Sequence, residues 1–344
     1  VPHVLKPPVS YIQAVHDRVN LEIMRGCPNA CRFCQARVYY GPARTRTAEN
    51  LISIAEQNYK NTGYEEICLS SLSSGAYPGI ADLIKKLFSY FKGENLFLSL
   101  PSLWVGREIE EVLDNFLDSK RPALTFAPEV TSYEMKKVIG KFIDENRLKE
   151  IVSYALDRGW KKVKLYYMLG LPGLSESDLK ETKKFIYELL RLNTKRPVSV
   201  KLSFSAFIPR PHTPLQWFNF ISRDEFQNQV SFIRSGFKNR HISLDFRNYD
   251  FSLIEAVLSR GDRRLSGVIY KAWKYGAKFD SWEREFKYDL WCNAFKDCGI
   301  DMERYINSDL NLESELPWQH IDSGVDSFEL WNSSQDARIR TGST

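Results

Sequence analysis

The stretch Asn20-Leu21-Glu22-Ile23-Met24-Arg25-Gly26-Cys27-Pro28-Asn29-Ala30-Cys31-Arg32-Phe33-Cys34 runs from a strand-like segment, 20–24, straight into three cysteines held within eight residues. Spacings of three and then two residues let one backbone loop wrap a single inorganic centre, since thiolates are the ligands that soft metal centres take. Three sulfurs around a four-iron cluster leave one iron without a protein ligand, and an open iron is where chemistry can occur. Other readings stand beside this one. Zinc normally closes with four ligands, so the three would need Cys68, Cys292, Cys298 or a histidine to join them. A disulfide would strand one thiol and needs an oxidising compartment. Three unrelated core cysteines are not expected to cluster so tightly, and the βα pattern behind the loop favours the cluster.

The 344 residues are 43% hydrophobic and 26% charged, enough for one large domain or a domain with an appendage. No stretch approaches the ~20 apolar residues of a membrane helix, and no signal-peptide pattern opens the chain. The start at Val1, with Pro2, Pro7 and Pro8 close behind, fits either loss of an initiating methionine or a piece lacking an upstream domain. Six cysteines, half of them in one loop, argue for a reducing cytoplasm over a disulfide framework. A net charge of +5 permits an anionic partner such as RNA and fits an ordinary solvated surface equally well.

Downstream of the cysteines the periodicity alternates. Thr47 reads as a helix N-cap ahead of Leu51, Ile52, Ile54 and Ala55 at helical spacing, and residues 66–71 read as a buried strand. Helix 79–91, strand 96–100, helix 108–117, strand 123–127, helices 133–138 and 145–158, and strand 162–169 follow. The run Gly170-Leu171-Pro172-Gly173 interrupts, Ser175 caps helix 176–192, and strand 198–208 ends in prolines. Six strands alternating with helices predict parallel pairing through right-handed crossovers, closing into a barrel or opening into a doubly wound sheet. Past Pro214 come a helix at 224–237, a strand at 241–247, a helix at 252–259 and an aromatic-rich, mostly helical remainder. The organisation expected is a lead segment at 1–18, a barrel unit at 19–215, a mostly helical extension at 216–331 and a polar, disordered tail at 332–344.

The Cys27-Cys31-Cys34 spacing, with Phe33 before the last cysteine, resembles the cluster loop of the radical S-adenosylmethionine (SAM) superfamily. The resemblance implies a partial (βα)6 TIM-like barrel with function at the carboxyl ends of its strands. It also implies a [4Fe-4S] cluster on Cys27, Cys31 and Cys34 and SAM chelated to the open iron. Reductive cleavage to a 5′-deoxyadenosyl radical would follow, with an electron from a reductant such as flavodoxin or ferredoxin. Contacts to SAM are then expected from Phe33 and from Ser71, Ser73 and Ser74, which stand where the family usually carries a Gly-Gly-Glu-like motif. This sequence departs from that motif in having no glutamate. Glu129 after the fourth strand, Lys164 and Tyr166 on one face of the fifth, and Leu169 in the apolar-glycine segment complete the expected contacts. Each has a plainer reading: a serine-rich turn, a first-turn acid, an ordinary strand face.

Further strings, among them Asn61-Thr62-Gly63-Tyr64-Glu65-Glu66 and Leu258-Ser259-Arg260-Gly261-Asp262-Arg263-Arg264, resemble an uncharacterised branch of that superfamily. The branch often carries a cobalamin-binding-like domain upstream. It is related to the tRNA methylthiotransferases, whose second three-cysteine cluster has no counterpart here. His212 among Pro209, Pro211 and Pro214 is either a substrate contact or a turn-held histidine. The Ser259–Arg264 and Pro317–Gly324 strings either shape a substrate pocket or pack the extension onto the barrel. Three functions stay open: a radical SAM enzyme on RNA, protein or a small molecule; a cobalamin-assisted methyltransferase lacking its upstream domain; or a non-catalytic iron–sulfur binding or electron-transfer module. No catalytic acid, base or hydrogen donor can be named from the sequence.

Overall fold

Period-2 alternation in the strands and period-3.6 in the segments between them build the fold seen in a computed structural model. It describes residues 3–12, 14–99, 105–106, 108–116, 123–192, 198–308 and 310–341. Strand β1 (Val19–Glu22) leads to a short antiparallel pair, β2 (Met24–Arg25) with β3 (Arg44–Thr45), which clips together the two ends of the cysteine loop. Parallel strands then follow in chain order: β4 (Glu66–Ser70), β5 (Phe97–Ser99), β6 (Leu124–Glu129), β7 (Lys162–Leu169), β8 (Ser199–Ala206) and β9 (Ile242–Phe246). They hydrogen-bond in the orders β1-β4-β5 and β6-β7-β8-β9. Together the two sheets form the wall of a partial TIM-like barrel. The expected ends of the third strand at Leu100 and of the third helix at Leu117 lie outside the described residues.

Helix α1 (Gln35–Tyr40) sits within the cysteine loop, and α2 (Ala48–Thr62), α3 (Ile80–Tyr90), α4 (Ile109–Asn115), α5 (Tyr133–Ile139), α6 (Glu145–Asp157), α7 (Glu176–Leu190) and α8 (Arg223–Gly236) connect the strands. Their starts follow the capping chemistry of the sequence. The Thr47 hydroxyl accepts from the Asn50 amide, and Ser175 with Asp178 and Ser222 with Glu225 form capping boxes.

Side-chain parity places the core outside the barrel. Val163, Leu165 and Leu169, in register with Val200, Leu202 and Ala206, are buried against the helices. The opposite face carries Lys164 beside Lys201 and Ser243, and Tyr166 beside Ser203 and Asp245. Lys201 pairs with Asp245 at 2.9 Å, the Ser203 hydroxyl donates to the same carboxylate, and Tyr166 is 38% exposed. A full TIM barrel fills its interior with branched apolar side chains. This one keeps a polar, solvated lumen.

Two expectations require correction. The strand expected inside the extension, now β9, joins β8 in parallel register, so the sheet continues past residue 215. Helices α9 (Tyr249–Arg260), α10 (Leu265–Lys274), α11 (Tyr288–Asp297), α12 (Glu303–Ile306) and α13 (Ser327–Thr341) then complete the extension. The tail expected to be disordered from 332 is helical through Thr341 as part of α13, and residues 342–344 lie outside the described residues. Among its described side chains Leu330, Ser334 and Ala337 are the ones that turn fully inward, and the stretch from Asn332 is mostly polar. The small Ser334 and Ala337 let the helix settle on a second apolar cluster formed by Val130, Met135, Val138, Ile139, Met168 and Leu171, among others.

Arg260 ties the extension to the barrel. Its guanidinium is 3% exposed and donates to the carbonyls of Tyr305 (2.6 Å), Gln216 (3.1 Å) and Phe218 (2.6 Å), while burial lowers its pKa to about 10. It therefore stays charged at neutral pH. Replacing one donor to several buried carbonyls leaves all of them unsatisfied. Arg260→Met, which keeps most of the volume, is expected to lower the unfolding free energy by about 3 kcal/mol, read as a lower urea midpoint by circular dichroism.

Candidate active site

Gly26 opens the cysteine loop at φ +84°, and a Cβ there would stand 2.5 Å from the Tyr40 carbonyl oxygen and 2.8 Å from that of Pro42. Only glycine permits both the left-handed backbone and this close approach of the two loop ends. At the other end of the loop Arg32 acts as a brace. Its amide donates to the Ile139 carbonyl (2.8 Å), and its guanidinium donates to the carbonyls of Lys137 and Val138 at the end of α5. A cation over the last carbonyls of a helix satisfies groups that the helix leaves unpaired and opposes its dipole favourably. The same guanidinium donates to the Ser333 hydroxyl (2.9 Å) and faces Asp336 at 3.5 Å, both on α13. Gly140, the left-handed cap of α5, has the Ala30 carbonyl 3.0 Å from where its Cβ would be.

All six cysteines are free thiols. Cys31 is buried, and Cys27 and Cys34 are partly buried. Burial pushes the Cys31 thiol up to about 11; Lys141 draws it down, while Cys34, Cys27 and Glu129 push it up through their charges. All four groups thus act on one sulfur through their charge. A thiol raised by burial keeps its proton at neutral pH, and that proton must leave before the sulfur can bind a metal. Among the described residues no three His, Cys, Asp or Glu side chains converge as they would on a single ion. The donor set that the loop offers is three thiols, which suits a soft metal centre.

Glu129 closes β6 where the register with β7 shifts, and it holds φ +67° without being glycine. Such backbone is sparsely populated and persists where surrounding structure imposes it. Its carboxylate meets Lys141 Nζ at 2.9 Å, both side chains being largely buried. Burial raises the Glu129 pKa and Lys141 opposes the rise. The result is a largely buried ion pair whose two charges both act on Cys31.

A cavity of about 190 Å³ adjoins the cysteine loop, lined by Phe33, Met168, Ser205, Ile208, Arg210 and Glu255, with Arg247 at its edge. Glu255 pairs with both arginines, so the wall carries one net positive charge. A larger cavity of about 600 Å³ lies along Gly170–Leu174, and no residue of the cysteine loop reaches its wall. The smaller one is therefore the cavity next to the metal-ligand loop.

Cys27, Cys31, Cys34 and Phe33 lie in one loop, and the charge of Glu129 acts on Cys31. The structure does not bring all the others there. Ser71 and Ser73 sit in the turn after β4, where the Ser71 hydroxyl accepts from the Ser73 amide. Ser74 is fully buried with its hydroxyl donating to the Leu69 carbonyl (3.0 Å), a turn-stabilising role in place of the expected cofactor contact. Lys164 and Tyr166 do share the lumen face, the ammonium 4.4 Å from the ring centroid, but deeper than the rim. Leu169 is the other correction: it points into the helix-facing core, and its neighbour Met168 has the inward parity and lines the cavity. His212 is buried with φ +57°, its amide held by Gln216 and its ring edge-on to Tyr39. Trp318 donates to the same Gln216 (2.8 Å), so this string packs the extension.

Sequence reasoning missed Lys141, Arg247 and Glu255. Parity with Lys164 and Tyr166 was the signal that could have found Met168. No sequence signal marked Lys141.

Cysteines gathered at the carboxyl-end rim of a parallel partial barrel, above a polar lumen, define a barrel built to hold a metal cofactor. Residues 21–186, just under half of the chain, match the Radical SAM superfamily, whose cofactors are a [4Fe-4S] cluster and SAM. It is 30% identical over 247 residues to the uncharacterized protein MJ0966 of Methanocaldococcus jannaschii, covering 72% of this chain and 52% of that protein. It is 27% identical over 204 residues to a probable threonylcarbamoyladenosine tRNA methylthiotransferase of Pyrococcus horikoshii, covering 56% and 45%. The chain thus spans about half the length of these curated relatives. Among solved structures, the radical SAM methyltransferase TsrM of Kitasatospora setae, with cobalamin and a [4Fe-4S] cluster bound, matches at TM-score 0.54. That match has 11% identity and covers 82% of this chain and 61% of that one, a likeness of fold alone. No helix among the described residues is long and apolar enough to cross a membrane.

Gly26→Ala is expected to leave barrel circular dichroism intact while iron bound after anaerobic reconstitution falls several-fold, because the loop ends can no longer meet.

Proposed function

We propose that the chain is a radical SAM enzyme acting on a substrate still to be identified, with RNA or protein modification foremost. The observation that carries it is the three-cysteine loop at the rim, with the sulfur of Cys31 buried beside the Glu129–Lys141 pair. Cys27, Cys31 and Cys34 would hold the cluster, which when bound supplies the electron that cleaves SAM to a 5′-deoxyadenosyl radical able to take hydrogen from a substrate. The protein's own residues bind and orient. Glu129 is an acceptor for an ammonium or ribose hydroxyl, and Lys141 is a donor for a carboxylate. Phe33 and Met168 supply apolar contact, and Arg210 with Arg247 favours an anionic group in the adjoining cavity. The α13 lid and its apolar cluster keep bulk water from one side of the site. A one-electron donor such as flavodoxin or ferredoxin would approach the cysteine-loop rim. The cobalamin-assisted reading draws support from the TsrM-like fold only.

Anaerobically reconstituted protein given dithionite and SAM is expected to release 5′-deoxyadenosine, measured by liquid chromatography, and Cys31→Ala to abolish both the cluster absorbance and the product. A loaded cluster without product would favour the electron-carrier reading. Glu129→Gln is expected to keep the cluster while weakening SAM binding roughly tenfold, the loss of about one charged hydrogen bond.

A further inference from the structure

Residues 262–287 carry seven Lys or Arg against four Asp or Glu, a net +3 where the whole chain has +5, with six aromatic side chains interleaved. Leu265, Val268 and Ala272 of α10 are buried, which turns Tyr270, Trp273 and Lys274 outward together. The Tyr270 and Trp273 rings lie 5.9 Å apart, and the Lys274 ammonium stands 5.4 Å from each. A second group follows in the connection to α11. There Phe279 and Trp282 are exposed, and the Arg284 guanidinium is 6.0 Å from the Trp282 ring. Exposure is 57% for Tyr270, 52% for Trp273, 73% for Phe279 and 53% for Trp282. Phe279 also holds φ +58°, which for a bulky side chain is a genuine outlier.

Four large rings left half in water, each group with a cation beside it, are more than a solvated helix face requires. A protein partner fits poorly, because interface cores are depleted in lysine. Unpaired bases fit well: they stack on aromatic faces without regard to sequence while lysine and arginine neutralise the flanking phosphates. Unpaired bases presented in loops are chiefly a property of RNA. We propose that this surface of the extension docks a single-stranded segment of RNA. It is separate from the cysteine-loop site and would deliver or anchor a strand beside the barrel.

The test is fluorescence anisotropy of a short fluorescein-labelled single-stranded RNA, about a dozen nucleotides long, titrated with the full chain. Trp273→Ala and Trp282→Ala are each expected to raise Kd about tenfold. Lys274→Gln is expected to flatten the salt dependence by about one phosphate contact. Tyr90→Ala, an exposed ring on α3, should change nothing and controls for general effects of removing surface aromatics. Unchanged affinity in both tryptophan variants would overturn the proposal. So would an RNA duplex binding as tightly as the single strand, since charge alone would then suffice. Self-association in sedimentation velocity that the same variants abolish, without RNA binding, would assign the surface to a second copy of the chain instead. Binding is read with or without a loaded cluster, so the result stands apart from SAM cleavage.

Discussion

The guanidinium of Arg32 joins three parts of the molecule that sequence order keeps apart: the cysteine loop that carries it, the carbonyl end of α5, and the polar face of α13. Loops owe their shape to what holds their ends, and this one is held twice, by the β2–β3 clip at its base and by Arg32 at its turn. Between the two fixings the cysteines have little freedom. A metal-binding loop gains from this, because ordering the ligands beforehand spares the entropy of gathering them when metal arrives. The carbonyls that receive Arg32 belong to the helix whose cap leads into Lys141, so one brace positions both the thiols and the ion pair beside them.

The barrel divides its labour by face. Its stability resides outside, where strand residues of one parity meet the helices in a continuous apolar layer. Inside, residues of the other parity stay wet and paired with one another, as Lys201 does with Asp245. Strain appears at the boundary between these regimes. Glu129 takes a left-handed backbone at the end of β6, where the ladder to β7 slips by a residue, and its carboxylate meets Lys141 there. Lys141 then makes the buried carboxylate tolerable.

The wall and the ligand loop were legible because their signals are local. Three close thiols after an apolar run, N-caps at Thr47 and Ser175, and alternating periods say much without any knowledge of packing. What failed depended on context. Leu169 looks like a rim residue by its motif, yet parity with Lys164 and Tyr166 hands the inward position to Met168. Ser74 carries a hydroxyl suited to a ligand and spends it on the Leu69 carbonyl. The polar run of α13 reads as disorder because its helix is held by two small residues and by arginine contacts, which hydrophobic periodicity does not register. Lys141 has no local marker; only the fold brings it to Cys31.

Arg32 and Ser333 are 301 residues apart in the chain. On a ribosome working at roughly 5–20 residues per second, the cysteines leave the exit tunnel about 15 to 60 seconds before α13 exists to cover their flank. During that interval the contacts of Arg32 with Ser333 and Asp336 cannot yet form. Helix α13 therefore fixes the flank of the cysteine loop only after translation has passed it.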